Sequence, residues 1–225
     1  MKRIQKGKTK DILEAEDGNI QLLFKDDVTG TGNQIDPGGD SVVGKVEGKG
    51  NASLRISQHF FELLKDEGIP NHYIDVDFGK NTMLVKRAET FGAGLEFVCR
   101  LKATGSFIRR YGKYASEGQE LDYLVEITLK DDEKGDPLLN DDTIIQLNLM
   151  TKEEIEETKN LTKEITKLIK KECGNFDLEL IDIKFEFGRI DGKIAVIDEI
   201  SGDNMRVRKD GKPVMQNELW EIICK

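Results

Sequence analysis

Two carboxylates and an ammonium stand close in sequence late in the chain, in Asp182-Ile183-Lys184-Phe185-Glu186-Phe187-Gly188 and Ile197-Asp198-Glu199-Ile200-Ser201. On a shared sheet face, Lys184, Glu186 and Asp198 would suit a Mg2+ held partly by nucleotide phosphates, because Mg2+ usually takes only one or two protein carboxylates. Near the start, Gly7-Lys8-Thr9-Lys10 at a turn between strands offers backbone N–H groups and lysine charge to phosphates, although it is not a Walker A sequence and an ordinary surface turn reads the same way. Arg100, Ser106, Arg109 and Arg110, around Gly105, have the guanidinium forks and hydroxyl of a phosphate pocket, or of a solvated basic turn. Lys130-Asp131-Asp132-Glu133-Lys134-Gly135-Asp136-Pro137 is a charged loop with the same two readings. His72 has no nucleophile or acid near it in sequence, so a hydrogen-bonded structural role is expected; Cys99 reads as a small core residue.

These residues need elements to position them. Ile181, Ile183, Phe185 and Phe187 alternate with Asp182, Lys184 and Glu186, which predicts a strand with one charged face. Arg189-Ile190-Asp191-Gly192-Lys193 is turn chemistry, and Ile194-Ala195-Val196-Ile197 fits a partner strand. A two-residue Asp191-Gly192 turn would put Glu186 and Asp198 on opposite faces, whereas an odd loop or a bulge would unite them. Short strands are expected at Ile12-Leu13 and Ile20–Phe24, then a long flexible glycine-rich loop over residues 29–50, with Asp36-Pro37-Gly38-Gly39-Asp40 as an insertion. Leu54, Ile56, Phe60, Phe61, Leu63 and Leu64 predict an amphipathic helix from Asn51, stopped by Gly68-Ile69-Pro70. Leu95–Leu101 and Leu124–Leu129 read as further strands. Thr151 and Glu154 form a capping box ahead of the stripe Ile155, Thr158, Leu161, Ile165, Leu168 and Ile169, with Gly174 as C-cap.

Composition narrows the function classes. The 225 residues can bury a substantial core as one domain or two small lobes. A net charge of −9 disfavours nucleic acid and anionic membranes, so an anionic ligand must rely on a local basic pocket. Three widely spaced cysteines and two histidines make zinc and disulfides poor readings and point to a reducing cytoplasm. The N-terminus has no apolar leader, and no stretch is long enough to span a bilayer.

The order of the pieces carries more than any one of them. Gly7-Lys8-Thr9-Lys10, Phe24–Thr29, Glu47-Gly48-Lys49-Gly50, Gly68–His72, Arg100 with Gly105-Ser106, Lys130–Pro137, Asp182–Gly188, and Asp198–Ser201 with Asp203 and Arg206 follow one another as in phosphoribosylaminoimidazole-succinocarboxamide synthases, the SAICAR synthetases of purine biosynthesis, and the chain resembles that family over nearly its whole length. The resemblance implies an α+β fold with a small β-rich N-terminal lobe, 1–86, over a larger α+β lobe, 87–225, and ATP in the cleft. It implies an ATP-dependent ligase joining the carboxylate of 5-aminoimidazole-4-carboxyribonucleotide (CAIR) to the amine of L-aspartate through an acyl phosphate. By the same resemblance Lys8, Thr9 and Lys10 cover the ATP phosphates, Lys184 contacts nucleotide, and Glu186 and Asp198 hold Mg2+. Arg100, Ser106, Asp203 and Arg206 take the phosphoribosyl substrate, with Lys130, Asp136 and Lys184 near the reacting groups. Small molecules are the implied partners, with a homo-oligomer, and neither nucleic acid nor membrane.

Departures from the family pattern mark the substrate end. Leu101 and Thr104 stand in Arg100–Ser106 where Asn and Ala are common, and Ser201-Gly202-Asp203-Asn204 replaces Ser-Pro-Asp-(Ser/Thr). Gly202 lacks proline's fixed φ and is expected to loosen the loop presenting Asp203 and Arg206. The usual C-terminal motif is not recognisable in residues 216–225. A paralogous ligase acting on another carboxylate or amine, and a nucleotide-binding protein without catalysis, are the alternatives.

Overall fold

Strand register, more than any single element, determines which side chains can meet. The computed structural model describes residues 2–32, 34–37, 39 and 41–224. In chain order the elements are β1 (Lys2–Lys6), β2 (Lys10–Glu14), β3 (Ile20–Phe24), β4 (Asp27–Thr31), β5 (Gln34–Ile35), β6 (Ser41–Lys45), α1 (Lys49–Asp66), β7 (Tyr73–Asp77) and β8 (Thr82–Val85). Then follow β9 (Glu89–Thr90), β10 (Leu95–Lys102), α2 (Ser106–Tyr111), β11 (Glu120–Leu129), β12 (Leu138–Leu139), α3 (Asp141–Gln146) and α4 (Lys152–Gly174). The chain ends with β13 (Glu179–Ile190), β14 (Lys193–Ile197), β15 (Met205–Lys209), β16 (Lys212–Pro213) and α5 (Gln216–Cys224). Two compact units result: residues 1–89 with 188–204 and 214–225, and residues 90–187 with 205–213. The first passage between units falls three residues beyond the boundary expected at 86; the later returns leave no compositional trace.

In the first unit, β1-β2-β3-β8-β7 form an antiparallel sheet, and β5-β4-β6 form a second, three-stranded one. That second sheet corrects the expectation of an unstructured loop over 29–50. Its signal is weak because β6 is exposed at most positions, with Val42 47% exposed, so no apolar alternation marks it. Gly38 and Asp40 of the proposed insertion lie outside the described residues. Helix α1 starts at Lys49, two residues before the expected Asn51, and buries Leu54, Ile56, Phe60, Phe61 and Leu64. It packs against α5, which buries Leu219 and Ile223, while the Arg55 guanidinium lies 3.9 Å from the Phe78 ring centroid and 5.4 Å from that of Trp220.

In the second unit the sheet order is β12-β11-β10-β13-β15-β16. Phe97 faces Ile127 and Phe185 across the ladders, and Cys99 faces Val125 and Ile183. This is the apolar face, and α4 contacts β10 and β11. Thr151 accepts from the Glu154 N–H and Glu154 from the Thr151 N–H, so the predicted capping box is present and satisfies two otherwise orphaned donors. Thr158, Thr162 and Thr166 each donate to the carbonyl one turn back at 2.7 Å, which hides their hydroxyls within the packed stripe. Gly174 is the last helical residue and not a left-handed cap; Asn175 caps with φ −64°, and the left-handed residue is Asp177.

Candidate active site

Pleat alternation puts the opposite face of the second unit's sheet under charge. Glu96 lies across from Thr128 and Glu186, Val98 from Glu126 and Lys184, Arg100 from Asp182, and Asp182 from Arg206, so these side chains share one face. Arg100, 3% exposed, is held on all three nitrogens: Nε donates to Glu126 Oε2 at 2.6 Å, Nη1 to Asp182 Oδ2 at 3.0 Å and Nη2 to Ser106 Oγ at 2.9 Å. Arg206 Nη1 donates to the same Asp182 oxygen at 2.7 Å, and Arg110 Nη2 to the same Glu126 oxygen at 2.6 Å. Gly105, with φ +54°, admits this arrangement, since a Cβ there would lie 2.9 Å from Arg206 Nη2. Arg109 is exposed on α2.

Farther along the same face, Lys184 donates to Glu96 Oε1 at 2.6 Å, and Thr128 donates to Glu96 Oε2 at 3.1 Å. Burial alone would depress the Lys184 ammonium, but the Glu96 and Glu186 carboxylates outweigh it and hold it above the ordinary lysine range. Lys130 pairs with Glu186. Asp136, at φ +46°, accepts from the Asp131 N–H at 2.8 Å and closes the Lys130–Pro137 loop.

The first unit carries a different charge cluster. The β1–β2 turn is closed by the Gly7 N–H donating to the Lys10 carbonyl at 2.9 Å, and a Cβ on Gly7 would come within 2.4 Å of that oxygen. Lys8 is half-buried in this turn, and the Thr9 carbonyl accepts from the Lys25 N–H at 2.9 Å. Lys10 points inward, pairing with Glu199 and lying 3.3 Å from Asp198 Oδ1. Burial alone would lower its pKa; the Asp198 and Glu199 charges reverse that and raise it. Burial pushes the Glu199 carboxyl up, opposed by Lys10, and Ser201 Oγ donates to Glu199 Oε2 at 2.6 Å.

A corner at Asp198 decides where its carboxylate points. The hairpin turn is Asp191-Gly192, φ +51° and +74°, the pair of positive angles of a type I′ turn. Beyond β14, however, Asp198 has φ +68°, so its direction follows the corner and not strand alternation. The His72 Nε2–H donates to the Asp198 carbonyl at 2.9 Å, and the His72 N–H donates to the Val196 carbonyl at 3.1 Å. Burial lowers the His72 pKa to about 4, so the ring is neutral at physiological pH and keeps the hydrogen-bonded role expected of it.

The Ser201–Asn204 loop is fastened, contrary to the loosening expected from Gly202. The Ser201 N–H donates to Asn204 Oδ1 at 2.8 Å, the Asp203 N–H to Ser201 Oγ at 3.1 Å, and Asn204 Nδ2 to the Glu199 carbonyl. Asp203 pairs with fully buried Lys49 and accepts from Ser53 Oγ at 3.1 Å and Gln216 Nε2 at 3.0 Å. A Cβ at 202 would meet Gln216 Cγ at 2.9 Å, so glycine makes room for α5.

Within the second unit, then, Arg100, Ser106 and Arg206 form one hydrogen-bonded group, and Lys130, Lys184 and Glu186 lie in a second. Within the first, Lys10 and Asp198 meet through the Glu199 cluster, and Asp203 lies nearby in the same loop. Sequence reasoning assigned no role to Glu96, Glu126, Lys49 or Glu199. A usable signal existed for two of them: Glu96 and Glu126 are acids inside apolar strands, on the face of Arg100. Among the described residues no group of three or more His, Cys, Asp or Glu side chains is arranged to hold a metal, and no helix is long and apolar enough to cross a membrane.

Comparison with known proteins adds the family. The model of the SAICAR synthetase family matches residues 3–218. A phosphoribosylaminoimidazole-succinocarboxamide synthase of Clostridium tetani is 52% identical over the full length of both chains. A SAICAR synthetase solved in complex with ADP superposes with a TM-score of 0.83 at 30% identity, covering 93% of this chain and 86% of its own. The synthase of Ehrlichia chaffeensis gives a TM-score of 0.85 at 26% identity, covering 97% and 90%. The mixed α/β fold and the ordered motifs agree with these matches, and the chain belongs to the SAICAR synthetase family.

Proposed function

We propose that the chain joins the carboxylate of CAIR to the amine of L-aspartate with ATP, yielding SAICAR, ADP and phosphate. The observation that carries this is the match over residues 3–218, with 52% identity along the whole of a named synthase. A carboxylate is a poor electrophile; transfer of the γ-phosphoryl group makes it an acyl phosphate, and the aspartate amine then forms the C–N bond as the C–O bond to phosphate breaks. No side-chain nucleophile is needed. Buried Cys173, its thiol pushed up to about 12 by burial, and neutral His72 agree with that economy.

Lys8, Thr9 and Lys10 are assigned to the ATP phosphates and Lys184 to the nucleotide, each as a held positive charge or donor. Glu186 and Asp198 are assigned to Mg2+: they are hard oxygen donors, and one or two such carboxylates beside phosphate oxygens are what that ion ordinarily takes. When bound, Mg2+ neutralises phosphate charge. Arg100, Ser106, Arg206 and Asp203 are assigned to the phosphoribosyl substrate, and Lys130 and Asp136 to the reacting groups. The fastening of the Ser201–Asn204 loop supports retention of the usual substrate despite Gly202. A cytoplasmic enzyme working as a homo-oligomer completes the reading, the first supported by Cys99, Cys173 and Cys224, none of them in a disulfide, and the second by the family.

The test is ADP release by purified protein with Mg-ATP, CAIR and aspartate, omitting each in turn. Turnover that needs all three is expected. Turnover that persists without CAIR, or none with all three present, would overturn the assignment.

A further inference from the structure

Asp198 stands where an extended chain could not use it. Ile194, Ala195, Val196 and Ile197 of β14 are all buried, so both faces of that strand are packed. Continued alternation would put Asp198 on the side of Val196, two residues back and fully buried, and would bury its carboxylate there. Instead Asp198 turns at φ +68°, in the left-handed region that residues with a Cβ seldom adopt. Its side chain keeps 24% exposure, with Lys10 Nζ 3.3 Å from Oδ1. Such a conformation persists where its surroundings over-determine it, and it gathers at sites with a task.

The surroundings that hold this corner come from residues 70–72. The Val196 N–H donates to the Pro70 carbonyl at 3.0 Å, the His72 N–H donates to the Val196 carbonyl at 3.1 Å, and Asn71 and Val196 form a parallel bridge. These backbone bonds fix the end of β14. Past it, the His72 Nε2–H donates to the Asp198 carbonyl at 2.9 Å. The imidazole has little room to move: it is 3% exposed, its ring centroid lies 5.2 Å from that of Phe61, and the His72 carbonyl accepts from the Lys86 N–H at 2.7 Å. Two dihedrals set both the carbonyl and the Cβ direction of Asp198, so a bond that restrains the first restrains the second. We propose that His72 is a positioning residue which, through the Asp198 carbonyl, holds the left-handed corner and keeps the Asp198 carboxylate presented to a divalent cation. This rests on the assignment of Asp198 to Mg2+, and it gives His72 a part in nucleotide binding that it performs through Asp198.

His72→Phe keeps a ring and removes the donor, whereas His72→Gln keeps an N–H donor on a side chain of similar reach. Calorimetry of ADP binding, with Mg2+ and again with a chelator, reads the ion's share without turnover. His72→Phe is expected to bind ADP about tenfold more weakly with Mg2+ but within about twofold of wild type in chelator, as loss of a bond that orients a metal ligand implies. The Mg2+ concentration that half-saturates turnover should rise by about the same factor, with KM for CAIR within about twofold. His72→Gln should recover part of the loss. In the Asp198→Asn background His72→Phe should add no further loss, because the carboxylate through which it acts is gone. A side chain that only fills the core would weaken ADP binding equally with and without Mg2+, or would add its full loss in the Asp198→Asn background, and either result overturns the proposal. If His72→Phe does not fold, His72→Gln carries the test with a smaller loss confined to the Mg2+ measurement, and an equal change in both measurements again overturns it. His72 variants that match wild type while Asp198→Asn binds Mg-ADP more weakly would remove the positioning role and leave the metal assignment standing; Asp198→Asn that matches wild type overturns both.

Discussion

The two units solve the same problem, charge in a water-poor place, with opposite balances. In the second unit three arginines share two carboxylates, Glu126 on β11 and Asp182 on β13, the strands that flank β10 and its Arg100. In the first, two lysines, Lys10 and Lys49, face three carboxylates, Asp198, Glu199 and Asp203, gathered from a turn, a helix start and a loop. Among the described contacts, arginines outnumber acids in one arrangement and acids outnumber lysines in the other. Guanidinium forks suit the former because they can divide their donors between internal acids and a ligand; ammonium groups act as point charges and suit the latter. The comparison teaches that local charge, not the net −9 of the chain, governs what each region attracts.

Substitutions that tilt either balance break the comparison by graded amounts. The largest effect is expected from Asp198→Asn, which removes one negative charge at unchanged volume: turnover should fall on the order of a thousandfold while far-ultraviolet circular dichroism is unchanged, and normal activity would reject the metal assignment. Lys49→Met leaves the Asp203 carboxylate buried without its cation, and urea unfolding should show a loss of about 3–5 kcal/mol. Arg206→Lys keeps the second unit's charge but loses a fork; KM for CAIR should rise about tenfold with kcat largely retained. Gly202→Ala forces contact with Gln216 and should cost about 1–2 kcal/mol, with a double-mutant cycle against Gln216→Ala recovering part of it. Smallest is alkylation: under native conditions only exposed Cys224 should react, and buried Cys99 and Cys173, whose thiols burial pushes up, should react only on unfolding.

What could be read in advance follows the range of the interactions. The capping box at Thr151 and Glu154 and the alternation through Ile181–Phe187 depend on neighbours a few residues away, and both are present. The charged face was visible for β13 alone; its partners Glu96 and Glu126 belong to strands whose register no single segment specifies. Strands β4 to β6 escaped because β6 is exposed at most positions and shows no apolar alternation, and β4 and β5 are short and rich in polar residues and glycine. Gly202 was misread for a related reason: proline's absence is a local fact, whereas Gln216, the side chain that occupies the space, arrives from a helix with no recognisable motif.

The fastening of the first unit bears on how the chain is made. Lys10 and Glu199 are 189 residues apart, and Lys49 is likewise paired only when Asp203 has emerged. On the ribosome, therefore, the N-terminal strands cannot bury their lysines favourably until synthesis is almost complete, because a buried ammonium without its counter-charge costs several kcal/mol. The region translated first is thus among the last to be sealed, and a polypeptide released short of residue 204 carries an open, charge-mismatched N-terminal unit exposed to proteases.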